Sequence, residues 1–208
     1  MSDTEQDNEN NEEKIQVEGI IENNKVFVED QEGIIEFYEQ SYIGIIEEKN
    51  DKKVLVLEPI EVLLLHERQR ILLWEKNDKT KDLYDFEGLL SYFSQYDEFL
   101  WQKYVIYMDL RRRGYIVRSG FGGGIDFMVY KRGADFRNET AKFLIYPVFE
   151  GSPIQLRDLD RNSRVALSSR KELIVATVDR LSRPIYYNVK KFEILNKDIE
   201  GDNKSHGR

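Results

Sequence analysis

Apolar and polar positions along the chain change period several times, and each change marks an element. IQVEGII (15–21) and KVFVE (25–29) are strand-like runs on either side of Asn23-Asn24, a pattern that predicts a hairpin. GIIEFYEQ (33–40) groups Ile34, Ile35, Phe37 and Tyr38 as a short helix would. YIGIIEE (42–48) and KKVLVLE (52–58) read as strands. Pro59 is suited to the first turn of a helix over IEVLLLHERQ (60–69), and ILLW (71–74) returns to a strand. Asp85 is placed to cap a helix over FEGLLSYFSQY (86–96).

The longest helical pattern follows, with Leu100, Tyr104, Tyr107, Met108 and Arg111 at spacings of three and four. Gly114 suits its stop, and Arg111, Arg112 and Arg113 occupy a last turn where cations favour the helix dipole. Strands are predicted at YIVRS (115–119), DFMVY (126–130) and KFLIYPV (142–148), with FGGGI (121–125) as a flexible turn. PIQLRDLDRNSRVALSSR (153–170) reads as a loop and helix, ELIVATVD (172–179) and PIYYNVKKFEIL (184–195) as late strands. The predicted class is α+β. A small mixed α/β domain (15–95) precedes an α/β domain (96–195) with a mixed central sheet flanked by helices. Residues 1–14 and 196–208 have almost nothing to bury and are expected to be disordered, the first as an acidic arm.

Charge refines this picture. The net charge of -8 argues against a nucleic-acid partner only as an average. Residues 1–14 hold six acids and one base, whereas residues 101–137 hold eight Lys/Arg against three Asp. Because screening confines electrostatics to about 10 Å, the local excess of cations decides whether phosphates bind. In that region Arg111, Arg112, Arg113, Arg118, Lys131, Arg132 and Arg137 interleave with Tyr107, Tyr115, Phe121, Phe127, Tyr130 and Phe136. Guanidinium groups hold phosphates and aromatic faces stack on unpaired bases, so the pattern fits RNA; a solvated charged face is the plainer alternative.

Other chemistries find little support. The chain has no cysteine, which removes disulfides, thiolate metal sites and cysteine nucleophiles, and fits an intracellular protein. Its two histidines, His66 and His206, form no metal-ligand cluster with the carboxylates. The glycines from Gly120 to Gly124 lack the Lys-Ser/Thr pair of a phosphate-binding loop. No apolar run reaches the roughly 20 residues needed to cross a bilayer, and the N-terminus has no signal-peptide pattern, so the cytoplasm is expected.

Three ordered motifs are more specific. Leu110 to Gly120 reads L-R-x-R-G-Y-x-V-x-x-G, Asp126 to Tyr130 reads D-F-x-x-Y, and Arg164 to Lys171 reads R-V-A-x-S-x-R-K. With GIIEFYEQSYIG and LEPIEVLLL in the first half, residues 15–195 resemble the archaeal transfer-RNA splicing endonucleases. The resemblance implies metal-independent, cofactor-free cleavage of precursor tRNA at a bulge–helix–bulge. The 2′-hydroxyl attacks the adjacent phosphate, leaving a 2′,3′-cyclic phosphate and a 5′-hydroxyl. A tyrosine serves as base, a histidine as acid and a lysine as charge stabiliser, and these roles fall on Tyr130, Thr140 and Lys171.

Thr140 departs from the family pattern. A threonine hydroxyl is no general acid near neutrality, and a positioned acid contributes about 10²–10⁴-fold in rate. The resemblance also gives Arg164 the pinching of a bulge base; Arg118, from the basic and aromatic stretch, and Arg170, beside Lys171, are read as further RNA contacts. It implies four-chain assembly, as a homotetramer or as a heterotetramer with a related subunit. The last strand is then a dimer interface and the loop VDRLSRP a docking element. In that loop Asp179 remains, but Arg180 and Arg183 stand where acids are expected. Three readings follow: a working catalytic chain with this one residue altered, a catalytic chain in which Glu139 or a bound water partly replaces the histidine, or a non-catalytic subunit that binds RNA and scaffolds a partner.

Overall fold

A computed structural model describes residues 16–49, 51–75 and 84–190. The expected acidic arm (1–14), the tail (196–208) and the end of the last strand (191–195) lie outside the described residues. The chain forms two compact units that divide between Met108 and Asp109.

In the first unit, β1 (Val17–Glu22) and β2 (Lys25–Val28) form the hairpin predicted at Asn23-Asn24, and Asn23 takes the left-handed φ of 56° that its turn needs. A helical turn, α1 (Gln31–Gly33), is capped by the Asp30 carboxylate and continues into a π-helical stretch, Ile34–Gln40. The strands β3 (Ile45–Lys49) and β4 (Lys52–Leu57), the helix α2 (Pro59–Glu67), the strand β5 (Ile71–Glu75) and the helix α3 (Phe86–Ser94) follow. The sheet order is β3-β4-β2-β1-β5, with β1 and β5 parallel and the other neighbours antiparallel. Pro59 opens α2 and Asp85 caps α3 as the sequence predicts, the latter by accepting from the Gly88 amide at 2.8 Å. Glu61 is buried in α2, yet both its oxygens are used. They accept from the amides of Gly44 at 2.9 Å and Glu58 at 3.0 Å, so this buried carboxylate ties a tight corner to the helix start.

The helix α4 (Leu100–Arg112) reaches across the division between the units and stops at Gly114. There the amides of Gly114 and Tyr115 return to the carbonyls of Arg111 (3.0 Å) and Leu110 (3.1 Å), and φ at Gly114 is 84°. The second unit continues with β6 (Ile116–Gly122), β7 (Ile125–Tyr130), β8 (Phe143–Val148), α5 (Leu156–Ser168), β9 (Glu172–Val178) and β10 (Pro184–Val189). The strands lie in the sheet in reverse chain order, β10-β9-β8-β7-β6. Only β8 and β9 are parallel, as their connection through α5 requires. One face is covered by α5. Ile125, Leu144, Ala166 and Leu173 are buried there, with Met128, Tyr146, Leu159, Val165 and Val189 packed around them.

Candidate active site

The register brings three strand ends together. β7 finishes at Tyr130, β8 begins beside it with Phe143 opposite Val129, and β9 begins with Glu172 opposite Phe143. Two backbone bonds close this end of the sheet: the Lys142 amide donates to the Val129 carbonyl (2.9 Å) and the Glu172 amide to the Lys142 carbonyl (3.0 Å). Tyr130, the segment carrying Thr140, and Lys171 therefore share one end of three neighbouring strands. Side chains alternate faces along a strand. Tyr130 lies two residues beyond Met128, and Lys171 two residues before Leu173, both packed beneath α5. Tyr130 thus lies on the α5 face, and Lys171, just before β9, lines a cavity on that face with Ser163, Ala166 and Leu167; the strand ends are two spacings or roughly 10 Å apart.

Tyr130 is buried, and its ring stands edge-on to Phe136 (6.2 Å between centroids, 77°). Thr140 is exposed on the segment between β7 and β8. That segment is braced from within. Asp135 accepts from the Arg137 amide (3.1 Å), Arg137 Nε (3.2 Å) and Asn138 Nδ2 (2.8 Å), while Glu139 Oε1 accepts from the Asp135 amide (3.0 Å). The Asp135 carbonyl also takes the amides of Asn138 and Glu139. The bond from the Arg137 amide, then that from its guanidinium, hold the Asp135 carboxyl below the usual carboxylate range. Ala134 and Ala141 are buried and anchor the two ends.

The sequence places Lys171 at the end of a helix; the structure puts it past that end. α5 stops at Ser168, and the next turn closes with the Arg170 amide on the Leu167 carbonyl (3.1 Å) and the Lys171 amide on the Ala166 carbonyl (2.8 Å). This double bond pattern puts Arg170, with φ of 56°, in the left-handed position that glycine usually fills. Lys171 Nζ donates to the Ser169 carbonyl at 3.2 Å. The helix-end turn thus sets the direction in which Lys171 leaves the chain.

Arg118 lies on β6 opposite Met128, with its guanidinium carbon 4.7 Å from the Phe136 ring centre. Arg164 stands apart from this cluster, on the outer surface of α5. Its side chain is 78% exposed and pairs with Asp160 at 2.9 Å, an interaction weak enough for a ligand to replace. The docking-loop residues are tied down locally: Asp179 accepts from the amides of Leu181 and Arg183 and from the Arg183 guanidinium, and Arg180 reaches Glu150 at 3.5 Å. The Arg183 amide, then its guanidinium, keep the Asp179 carboxyl below its ordinary range.

One supporting residue escaped the sequence reading. Asn162 is buried on the core face of α5 and donates to the Gly123 carbonyl at 3.0 Å, as does Arg161 Nη2 at 3.0 Å. The glycine turn, expected to be flexible, is therefore clamped to α5. The available signal was a polar residue on a stripe otherwise made of Leu159, Val165 and Ala166. Among the described residues, no group of three or more His, Asp or Glu is placed to hold a metal ion, and no helix is long and apolar enough to cross a membrane.

Comparison with known proteins supplies the family. The sequence pattern of the tRNA intron endonuclease N-terminal domain matches residues 17–87, and that of the tRNA intron endonuclease catalytic C-terminal domain matches residues 100–187. The chain is similar to the tRNA-splicing endonuclease of Methanococcus vannielii, 33% identical over 165 residues, 79% of this chain and 88% of that one. It is 35% identical to the tRNA-splicing endonuclease of Thermococcus kodakarensis over 165 residues, 79% of this chain and 92% of the other. The corresponding protein of Thermococcus onnurineus is 35% identical over 173 residues, 83% and 95% of the two chains. The ordered motifs, the two matched domains and these similarities over 79% or more of the chain agree: the chain belongs to the tRNA-splicing endonuclease family.

Proposed function

We propose that this chain is a catalytic subunit that cuts precursor tRNA at intron boundaries in a bulge–helix–bulge, in the cytoplasm and without a metal. What supports the proposal is that Tyr130 and Lys171 stand at one end of the sheet, on strand ends two spacings apart, with a braced segment leading from Tyr130 past position 140 to the strand between them. The Tyr130 oxygen takes the proton of the 2′-hydroxyl. The 2′-oxygen bonds to phosphorus as the P–O5′ bond breaks, and the Lys171 ammonium offsets the charge that builds on the phosphorane. The leaving 5′-oxygen needs a proton that Thr140 does not supply, so water protonates it and the reaction is slow. Arg164, exposed on α5 and paired with Asp160 among the described residues, stacks on a bulge base, and Arg170 adds a phosphate contact beside Lys171.

Two cuts per substrate call for paired sites. β10 is an edge strand with exposed Ile185 and Tyr187, which supports pairing with a second chain in a homotetramer or heterotetramer. Thr140 itself favours a second reading, a non-catalytic subunit that grips RNA for a related partner. The test is cleavage of a bulge–helix–bulge RNA by the parent chain and by Thr140→His. A gain on the order of 10²–10⁴-fold is expected. No cleavage by either form, with activity appearing only once a second subunit is added, would establish the scaffold reading instead.

A further inference from the structure

We propose that Phe136 is a positioning residue for Tyr130 and that Arg118 acts on the reaction through Phe136; this rests on the reading of Tyr130 as the base. Three observations converge. Phe136 touches two partners: its edge-to-face contact with Tyr130 limits where the phenol can swing, and its face carries the Arg118 guanidinium. Arg118 is fixed by backbone pairing opposite Met128, two residues before Tyr130, so both ends of the stack are rooted in the β6–β7 ladder. Phe136 is rooted separately, between Asp135 and Arg137, whose mutual bonds close the segment on itself. A rigid ring is thereby wedged from a braced loop between a strand arginine and the terminal tyrosine of the next strand.

The wedge has a mechanistic use. Tyr130 is the last residue of β7, where the ladder no longer holds the backbone on the outgoing side. A base must meet the 2′-hydroxyl at hydrogen-bond distance and correct angle, and a misplacement near 1 Å costs about 10²-fold in rate. Packing from Phe136 restricts the phenol without using its hydroxyl, leaving the oxygen to the substrate. An arginine serving only as an RNA contact would need no aromatic platform joined to the base. One joined in this way has an effect that passes through the ring.

The experiment uses the full-length assembled protein carrying Thr140→His, with and without Phe136→Leu, Phe136→Tyr, Arg118→Met and the Phe136→Leu/Arg118→Met pair. Two quantities are read on one bulge–helix–bulge RNA: the single-turnover cleavage rate at saturating protein, and Kd by mobility shift at fixed salt. The expected result is a fall in rate of about 10–10²-fold for Phe136→Leu and for Arg118→Met, with Kd within about threefold. The pair is expected to be no slower than its slower single change, because both changes break one unit. Phe136→Tyr, which keeps the ring, is expected to recover most of the lost rate. If Phe136→Leu fails to fold, Phe136→Tyr and Arg118→Met still decide the matter. Arg118→Met that weakens Kd and leaves the saturated rate intact overturns the proposal in favour of a plain RNA contact. So does a pair whose losses multiply. If the Thr140→His parent does not cut at all, the catalytic reading fails and this inference falls with it, an outcome distinct from a parent that cuts and variants that cut equally well.

Discussion

Replacing Arg170 by glycine separates folding from RNA grip, because the two respond in opposite directions. Arg170 holds φ of 56° at the turn that closes α5, and its side chain is exposed. A residue with a Cβ pays about 1–2 kcal/mol in that left-handed region. Glycine relieves this cost but brings extra freedom to the unfolded chain, worth about 0.5–1 kcal/mol. The net expectation for Arg170→Gly is a gain of about 0–1.5 kcal/mol. For a unit of this size that is a rise in Tm of up to about 12 °C by calorimetry. If Arg170 also neutralises a phosphate, its loss lowers the magnitude of the slope of log K against log salt by about 0.7–0.9 and weakens RNA binding at low salt. A lowered Tm would refute the left-handed assignment and with it the account of how Lys171 is aimed. A salt slope identical to the parent's would remove Arg170 from the RNA surface while leaving that account standing.

Other consequences are more direct. At Gly124, a Cβ would lie 2.3 Å from the Tyr146 ring, and φ is 93°; Gly124→Ala is therefore expected to cost upwards of about 2 kcal/mol in urea unfolding. Asn162→Ala is expected to lose about 1–2 kcal/mol through its buried bond to the Gly123 carbonyl. Asn162→Asp is expected to lose more, since a carboxylate cannot donate to that oxygen; denaturant midpoints order the two. Tyr186 is held neutral, mainly by burial and further by its bond to Asp109 (2.8 Å), so its pKa lies well above the ordinary value. A raised phenol pKa favours the fold fully below about pH 10, and this contribution is lost as pH rises beyond it. Stability measured at pH 9, 10 and 11 is expected to fall more gently in Tyr186→Phe, by up to about 1.4 kcal/mol per pH unit.

Most elements were legible because a single periodicity governed each. The Asn23-Asn24 turn, Pro59 at the start of α2, the Asp85 cap and Gly114 at the end of α4 all fulfil their local chemistry in the structure. Local rules could not show the π-helical winding of Ile34–Gln40, since the spacing of Ile34, Phe37 and Tyr38 suits an ordinary helix equally well. Nor did residue type show that Arg170 occupies a glycine-like position: the bonds that impose it are local, to the carbonyls of Leu167 and Ala166, but an arginine stands where a glycine would have marked the turn. The rigidity of the glycine turn had a long-range origin. It depends on Asn162 and Arg161, nearly forty residues away in the chain, and on how closely Gly124 approaches Tyr146. The roles of Tyr130 and Lys171 came from motif order; their sharing of one end of the sheet came from strand register, which follows from pairing and not from either residue's neighbours.

Position 140 separates fold from chemistry more cleanly than any other in the chain. The bonds that brace its segment run through Asp135, Arg137, Asn138 and Glu139, and the buried anchors are Ala134 and Ala141. The side chain at 140 is exposed beside that frame. Exchanging threonine for histidine there changes neither the brace nor the anchors, and exposed substitutions of this kind usually move stability by less than about 0.5 kcal/mol. Thr140→His is therefore expected to leave Tm nearly unchanged while the cleavage rate rises by orders of magnitude. A substantial shift in Tm with no gain in rate would mean that the segment does not hold position 140 at the end of the sheet occupied by Tyr130 and Lys171. In that case the shared strand ends would be a structural coincidence and not a reacting site.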